Sequence, residues 1–195
     1  MTPERKNRLV NVLKKRQTNI TVVLENVFDP HNISAVLRSC DAIGIQDVYV
    51  LTTRIAPHQR WGYRSSSGAY KWVTVHQYKE TAACVDALRK NYDKILTTCL
   101  ANDSVDLYEL DFTQSMALVF GNEKDGIGEL TPYADGNFII PQTGMIKSLN
   151  ISVACAVTLY EAYRQKNLAG HYNEPKLPNI KMKTLLHDWG LNEDH

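Results

Sequence analysis

The sequence predicts an α/β protein with a mostly parallel sheet, and three observations carry that prediction. Short apolar runs alternate with segments of helical periodicity along most of the chain. The runs are continuous rather than alternating in polarity, as strands covered on both faces must be. Capping residues, glycines and prolines punctuate the chain between them, so strand and helix follow one another in order.

Taken in order, Thr2 stands as an N-cap before Pro3 at the first helical position, which predicts a helix running to about Arg16. A strand over residues 21–27 and a turn at Pro30 lead to a helix over residues 32–43. Ile33, Val36, Leu37, Cys40 and Ile43 form its apolar face, leaving Asn32, Ser34, Arg38 and Asp41 elsewhere, and Gly44 closes it. A strand over residues 48–51 precedes a basic, aromatic segment that itself ends in a strand near residues 72–75. A helix near residues 80–90 and strands over 94–100 and 116–120 come next. The glycine-rich loop 121–128 then leads to a strand over 138–140, a Pro/Gly-broken loop, and a long helix for which Ser148 is the expected cap.

At 195 residues the chain is long enough for one domain with a substantial core. No apolar run approaches a membrane span and the N-terminus is charged rather than signal-like, so a cytoplasmic protein is expected. Cys40, Cys84, Cys99 and Cys155 are scattered through apolar stretches without metal-ligand spacing, which predicts reduced core thiols and no metal site.

The net charge of +1 hides an asymmetry. Arg5, Lys6, Arg8, Lys14, Lys15 and Arg16 face only Glu4 within the first sixteen residues, leaving the remainder acidic. Residues 48–79 hold no acid but carry Arg54, Arg60, Arg64, Lys71 and Lys79, interleaved with Trp61, Tyr63, Tyr70 and Trp72. Cations mixed with aromatic rings suit a nucleic-acid backbone with unstacked bases. A surface loop anchored by aromatic packing is the alternative for that stretch alone; with the basic N-terminus, RNA is the better reading.

Polarity is also out of place where the 138–140 strand hands over to an almost wholly apolar helix. Lys147, Ser148 and Asn150 sit at that junction, where α/β proteins place ligand chemistry. The loop from Gly121 to Gly128 fits neither a P-loop nor a dinucleotide fingerprint by spacing, so phosphate cradling is not its expected task.

Three segments, in order, resemble the three motifs of the TrmH branch of the SPOUT superfamily: 26–44 (Asn26-Val-Phe-Asp-Pro-His-Asn through Arg38 to Gly44), 118–127 (Leu118-Val-Phe-Gly-Asn-Glu-Lys-Asp-Gly-Ile127) and 140–154 (Ile140-Pro-Gln-Thr-Gly-Met through Ser148-Leu-Asn150 to Ala154). Residues 1–5 and 16–26 also look like the start of the tRNA-specific members, which methylate the ribose 2′-oxygen of guanosine 18 in the D-loop. The resemblance covers roughly residues 1–170.

The resemblance implies a SPOUT-type domain over 20–167 with a deep trefoil knot at about 117–160, a basic helical extension at 1–19 and a tail at 168–195. It implies S-adenosylmethionine as cofactor, tRNA as substrate and a homodimer. Carried over by motif, Arg38, Asn32, Glu123, Ser148 and Asn150 are the expected catalytic residues, and Leu100, Gly121, Ile140, Met145 and Leu149 the expected cofactor contacts. Arg5, Arg8, Lys15, Arg16, Arg60, Arg64 and Lys71 are the expected RNA contacts. Gln142 and Lys147 depart from the commoner residues there, which bears on the identity of the RNA.

Leu149, Val153, Ala156, Tyr160 and Tyr163 form a stripe on a helix that is apolar nearly all round, which calls for a sheet and a partner, or for burial within one monomer. Two rival functions remain at this stage: the same chemistry on ribosomal RNA, and an RNA-binding protein without transferase activity. Absence of a separate RNA-binding domain before Thr21 argues against the first, and joint retention of the motif residues against the second.

Overall fold

The structure is a computed structural model that describes residues 2–57, 68–99, 104–122, 126–146 and 148–191. Helices α1 (Pro3–Lys14), α2 (Pro30–Ile43), α3 (Thr81–Asn91), α4 (Ile151–Leu168) and α5 (Asn179–Asp188) surround seven strands. These are β1 (Ile20–Glu25), β2 (Asp47–Leu51), β3 (Thr74–Tyr78), β4 (Lys94–Thr98), β5 (Val105–Asp106), β6 (Met116–Phe120) and β7 (Gly136–Ile139). They form one parallel sheet in the order β3-β2-β1-β6-β4-β7-β5.

The continuous apolar runs are explained by two-sided burial. Every residue of β1, β2 and β6 is buried, and their side chains alternate between two cores. Val22, Leu24, Val48, Val50, Leu118 and Phe120 meet α2 and α4 on one face. Val23, Tyr49, Leu51, Ala117 and Val119 meet Cys84, Val85 and Leu88 of α3 on the other. Cys40, Cys84 and Cys155 are buried free thiols, and burial pushes that of Cys84 up to about 12.

Several boundaries differ from the expected ones, each for a local reason. Helix α2 begins two residues early because the Asp29 carboxylate accepts from His31 N at 2.8 Å and Pro30 occupies the first turn. Its end is as expected: Gly44 has φ +88°, and a Cβ there would lie 2.6 Å from the Lys15 carbonyl oxygen. The cap of α4 is Asn150, not Ser148, with its side chain accepting from Ser152 N at 2.8 Å. Trp72 ends a short 3₁₀ turn, so β3 starts later than expected. The two-residue β5 was not expected at all.

The terminal segments pack on one another in a third cluster. Leu9 and Leu13 of α1 meet Leu177, Leu185 and Trp189, and Trp189 lies edge-on to Trp72 at 5.2 Å. Arg16, expected to contact RNA, is instead fully buried. Its guanidinium donates to Asp41 Oδ1 at 2.6 Å and to the Trp72 carbonyl at 2.9 Å, and lies over the Trp189 ring. A cation so engaged cannot reach a phosphate.

No helix among the described residues is long and apolar enough to cross a membrane.

Candidate active site

The C-terminal ends of β4, β6 and β7 open into a cavity of about 500 Å³, the position at which open parallel sheets bind ligands. Thr98 and Cys99 bound it at β4, Phe120 and Gly121 at β6, and residues 138–140 at β7. Ser148, Leu149, Asn150 and Ile151 close the far wall, with Gln142 at the rim. The walls are largely apolar and the polar groups converge from the loops, as a cofactor pocket requires.

The loop after β6 owes its shape to a residue that sequence reasoning passed over. Glu25 ends β1 and is only 1 % exposed. Its carboxylate accepts from the backbone N–H groups of Gly128 at 2.7 Å, Glu129 at 2.9 Å and Leu130 at 2.9 Å. Three charge-assisted bonds offset the cost of burying the carboxylate and hold the loop against the sheet. A buried acid closing an apolar strand was the available signal. Gly121 has a steric reason to be glycine: a Cβ there would lie 2.2 Å from the Gly126 backbone, which crosses it closely.

Asn150 links this cavity to α2. Its Nδ2 donates to Asn32 Oδ1 at 3.1 Å while its Oδ1 caps α4. A span of 118 positions in sequence is thereby closed at the head of two helices. Ile33, Leu37 and Cys40 of α2 and Cys155, Leu159 and Ala162 of α4 fill the same core beneath that bond.

The expected site residues therefore divide. Asn32 and Asn150 are joined, and Gly121, Ile140, Ser148, Leu149 and Asn150 line the cavity. Arg38 is exposed on α2, six residues beyond Asn32, and does not line it. Asp41, three residues on along α2, is paired with Arg16. Met145, an expected cofactor contact, is 98 % exposed in the loop 141–146 and does not line the cavity. Leu100, Glu123, Lys147, Arg60 and Arg64 lie outside the described residues. Arg5, Arg8, Lys15 and Lys71 are solvent-exposed.

S-adenosylmethionine suits this donor set. A parallel-sheet cavity with apolar side walls (Phe120, Phe138), backbone at Gly121, Ile140 and Leu149, and amide groups at Asn122 and Asn150 can seat an adenosine and a charged tail.

Comparison with known proteins gives a consistent picture. Over 190 residues the chain is 39% identical to the tRNA (guanosine(18)-2'-O)-methyltransferase of Thermus thermophilus, covering 96% of each chain. The crystal structure of the A. aeolicus TrmH/SpoU tRNA modifying enzyme superposes with a TM-score of 0.88 at 34% identity, over 95% of this chain and 94% of that one. An AdoMet-bound rRNA methyltransferase from Sinorhizobium meliloti has a TM-score of 0.68 at 27% identity, over 80% of this chain and 59% of that one. Residues 19–160 match the SpoU rRNA methylase family along most of the sheet and the whole cavity. By that match and by full-length identity to its relatives, the chain belongs to the SpoU methylase family.

Proposed function

We propose that this protein transfers a methyl group from S-adenosylmethionine to the ribose 2′-oxygen of a tRNA guanosine, at position 18 of the D-loop. The observation that carries the reading is Asn150, which stands on the cavity wall and also grips Asn32 at the head of α2. One side chain thus ties the cofactor pocket to the helix that bears Arg38.

The cofactor, when bound, supplies an already activated methyl group, so the protein chiefly has to align acceptor and donor. Gly121, Ile140 and Leu149 hold the cofactor through their backbone, and Leu100 and Met145 belong to the same proposed set. Asn32, Ser148 and Asn150 orient the ribose, and Glu123, outside the described residues, belongs to the same proposed set. Arg38 faces solvent, where an RNA backbone laid across the cavity mouth meets it. A guanidinium stays protonated at any working pH. Its role is accordingly to clamp the phosphate and stabilise the negative charge that develops on the 2′-oxygen as the O–CH₃ bond forms, the cofactor's C–S bond breaks and the hydroxyl proton passes to solvent water.

The RNA path in this reading runs over Arg5, Arg8, Lys15 and Lys71, with Arg60 and Arg64 in the same acid-free stretch; Arg16 is withdrawn from it. A homodimer is supported by α4. Its core face is Ile151, Cys155, Leu159 and Ala162, whereas Val153, Tyr160 and Tyr163 of the sequence-predicted stripe are 48%, 56% and 38% exposed. Apolar exposure of that extent on one helix marks a surface made to be covered. A trefoil knot at about 117–160 belongs to the same reading, as do the extensions 1–19 and 168–195, of which Leu9, Leu13, Leu177, Leu185 and Trp189 pack together. A cytoplasmic location follows from the substrate.

The test is transfer of labelled methyl to an unmodified tRNA transcript, with the product nucleotide mapped. Label on the guanosine 18 ribose that is lost in Arg38→Ala supports the reading. Label confined to ribosomal RNA would keep the chemistry and replace the substrate.

A further inference from the structure

Four phenylalanines occur in the chain, and three are core residues: Phe112, Phe120 and Phe138 are 0%, 1% and 0% exposed. Phe28 is 54% exposed. It lies in the connection between β1 and α2, four residues before Asn32.

The chain on both sides of Phe28 is held rigidly. Asn26 has φ +50°, a left-handed conformation uncommon outside glycine. Its side-chain oxygen accepts from Thr53 N at 2.9 Å and Arg54 N at 3.0 Å, while its own N–H donates to the Leu51 carbonyl at 2.8 Å. Val27 is 1% exposed and anchored in the core with Ile33. Asp29 is occupied in capping α2. With Val27 committed inward and Asp29 to the cap, the ring between them is presented outward by design of the loop, not left over from it. Asparagine tolerates the left-handed conformation, and the three hydrogen bonds of Asn26 fix the turn at the end of β1.

We infer that Phe28 is the stacking platform for the nucleobase of the nucleotide being methylated. The inference rests on the RNA methyltransferase reading above. The base is attached to the carbon next to the one that bears the reacting oxygen. When that oxygen enters the cavity mouth, the base must lie on the adjoining surface. Phe120 and Phe138 are buried within the cavity that the cofactor occupies in this reading, so they are not open to the substrate base. Phe28, exposed in the connection from the C-terminal end of β1 to the helix that bears Asn32, is open to it. Proteins that recognise loop RNA stack its splayed-out bases on aromatic side chains. The loop's rigidity means that the ring is in place before the RNA arrives, so little ordering entropy is lost on binding.

The experiment compares wild type with Phe28→Ala and Phe28→Trp on an unmodified tRNA transcript. Stacking of one base corresponds to about a 5- to 100-fold effect on RNA binding. Phe28→Ala is expected to raise KM for tRNA by that factor and to leave KM for S-adenosylmethionine unchanged, with Phe28→Trp restoring the wild-type value. In a transcript carrying 2-aminopurine at position 18, binding to wild type should quench fluorescence by stacking, and the quench should be lost in Phe28→Ala. An unchanged KM and quench in Phe28→Ala would overturn the inference. So would a loss that tracks a change in oligomeric mass, since Phe28 would then belong to a protein interface. A wild-type protein that binds the transcript but transfers no methyl would overturn the reaction instead, and the quench would still decide Phe28.

Discussion

The two ends of the sheet make opposite use of polar residues. At the C-terminal ends of the strands, Glu25 and Asn150 hold loops and helix heads around an open cavity. At the N-terminal ends, comparable side chains are spent on one another. Arg16 is bound to Asp41, and the Asp47 carboxylate takes both His76 at 2.9 Å and Lys181 at 2.6 Å. Burial works to raise the Asp47 carboxyl, but the bonds from His76 and Lys181 outweigh it and hold the group below its usual value. One end is thus a site and the other a clamp that ties α1 and α5 to the sheet. Charge in a sequence does not separate the two; what each charge touches does.

Substitutions at each end should sharpen that contrast. The largest expected effect is on chemistry: Arg38→Ala should lower kcat/KM for tRNA by about 10²- to 10³-fold. Because Arg38 is exposed, stability to urea should move by no more than about 0.5 kcal/mol. Equal losses of activity and stability would break the distinction between the two ends.

Arg16→Leu should do the reverse. It leaves the Trp72 and Ile45 carbonyls and the Asp41 carboxylate without their donor, at a cost of about 2–4 kcal/mol in urea denaturation. The salt dependence of tRNA affinity should keep its slope, since no phosphate contact is removed. A shallower slope would return Arg16 to the RNA surface.

Glu25→Gln falls between these. The amide keeps one acceptor oxygen and turns an NH₂ toward backbone N–H groups that the carboxylate now satisfies. A cost of about 1–3 kcal/mol is expected, together with weaker S-adenosylmethionine binding measured calorimetrically. Weaker folding with unchanged cofactor affinity would detach the loop from the site.

The smallest effect concerns Lys166, which is buried on the core face of α4 and donates to Asn19 Oδ1 at 2.7 Å. Burial disfavours its charged form and lowers its pKa from the ordinary 10.5 to about 8. The folded protein therefore releases this proton at lower pH than the unfolded chain does. Stability from this group should rise as pH increases from about 8 to 10.5. Melting curves across that interval should flatten in Lys166→Met; an unaltered pH profile would show that Lys166 does not titrate there.

Much of the architecture was legible because it rests on local chemistry. Thr2 before Pro3, Gly44 after α2 and the unbroken apolar runs of β1, β2 and β6 act within a few residues of themselves. Gly121, Ile140, Ser148, Leu149 and Asn150, which line the cavity, and Asn32, which bonds Asn150, stand in segments whose order along the chain is itself the signal. Arg16 was misplaced for a physical reason: exposure is a property of neighbours, and a basic helix end has no sequence mark for who those neighbours are.

By itself, then, the sequence determined the parallel α/β class, the succession of elements and the polar junction that lines the cavity, since periodicity, caps and strand hydrophobicity are short-range properties. Only the tertiary structure decided that Asn150 caps α4 and reaches Asn32, that Glu25 gathers the loop after β6, that Arg16 is a structural cation, and that Phe28 alone of its kind faces solvent. Each of these depends on groups brought together from distant parts of the chain, and no local pattern encodes which of them will meet.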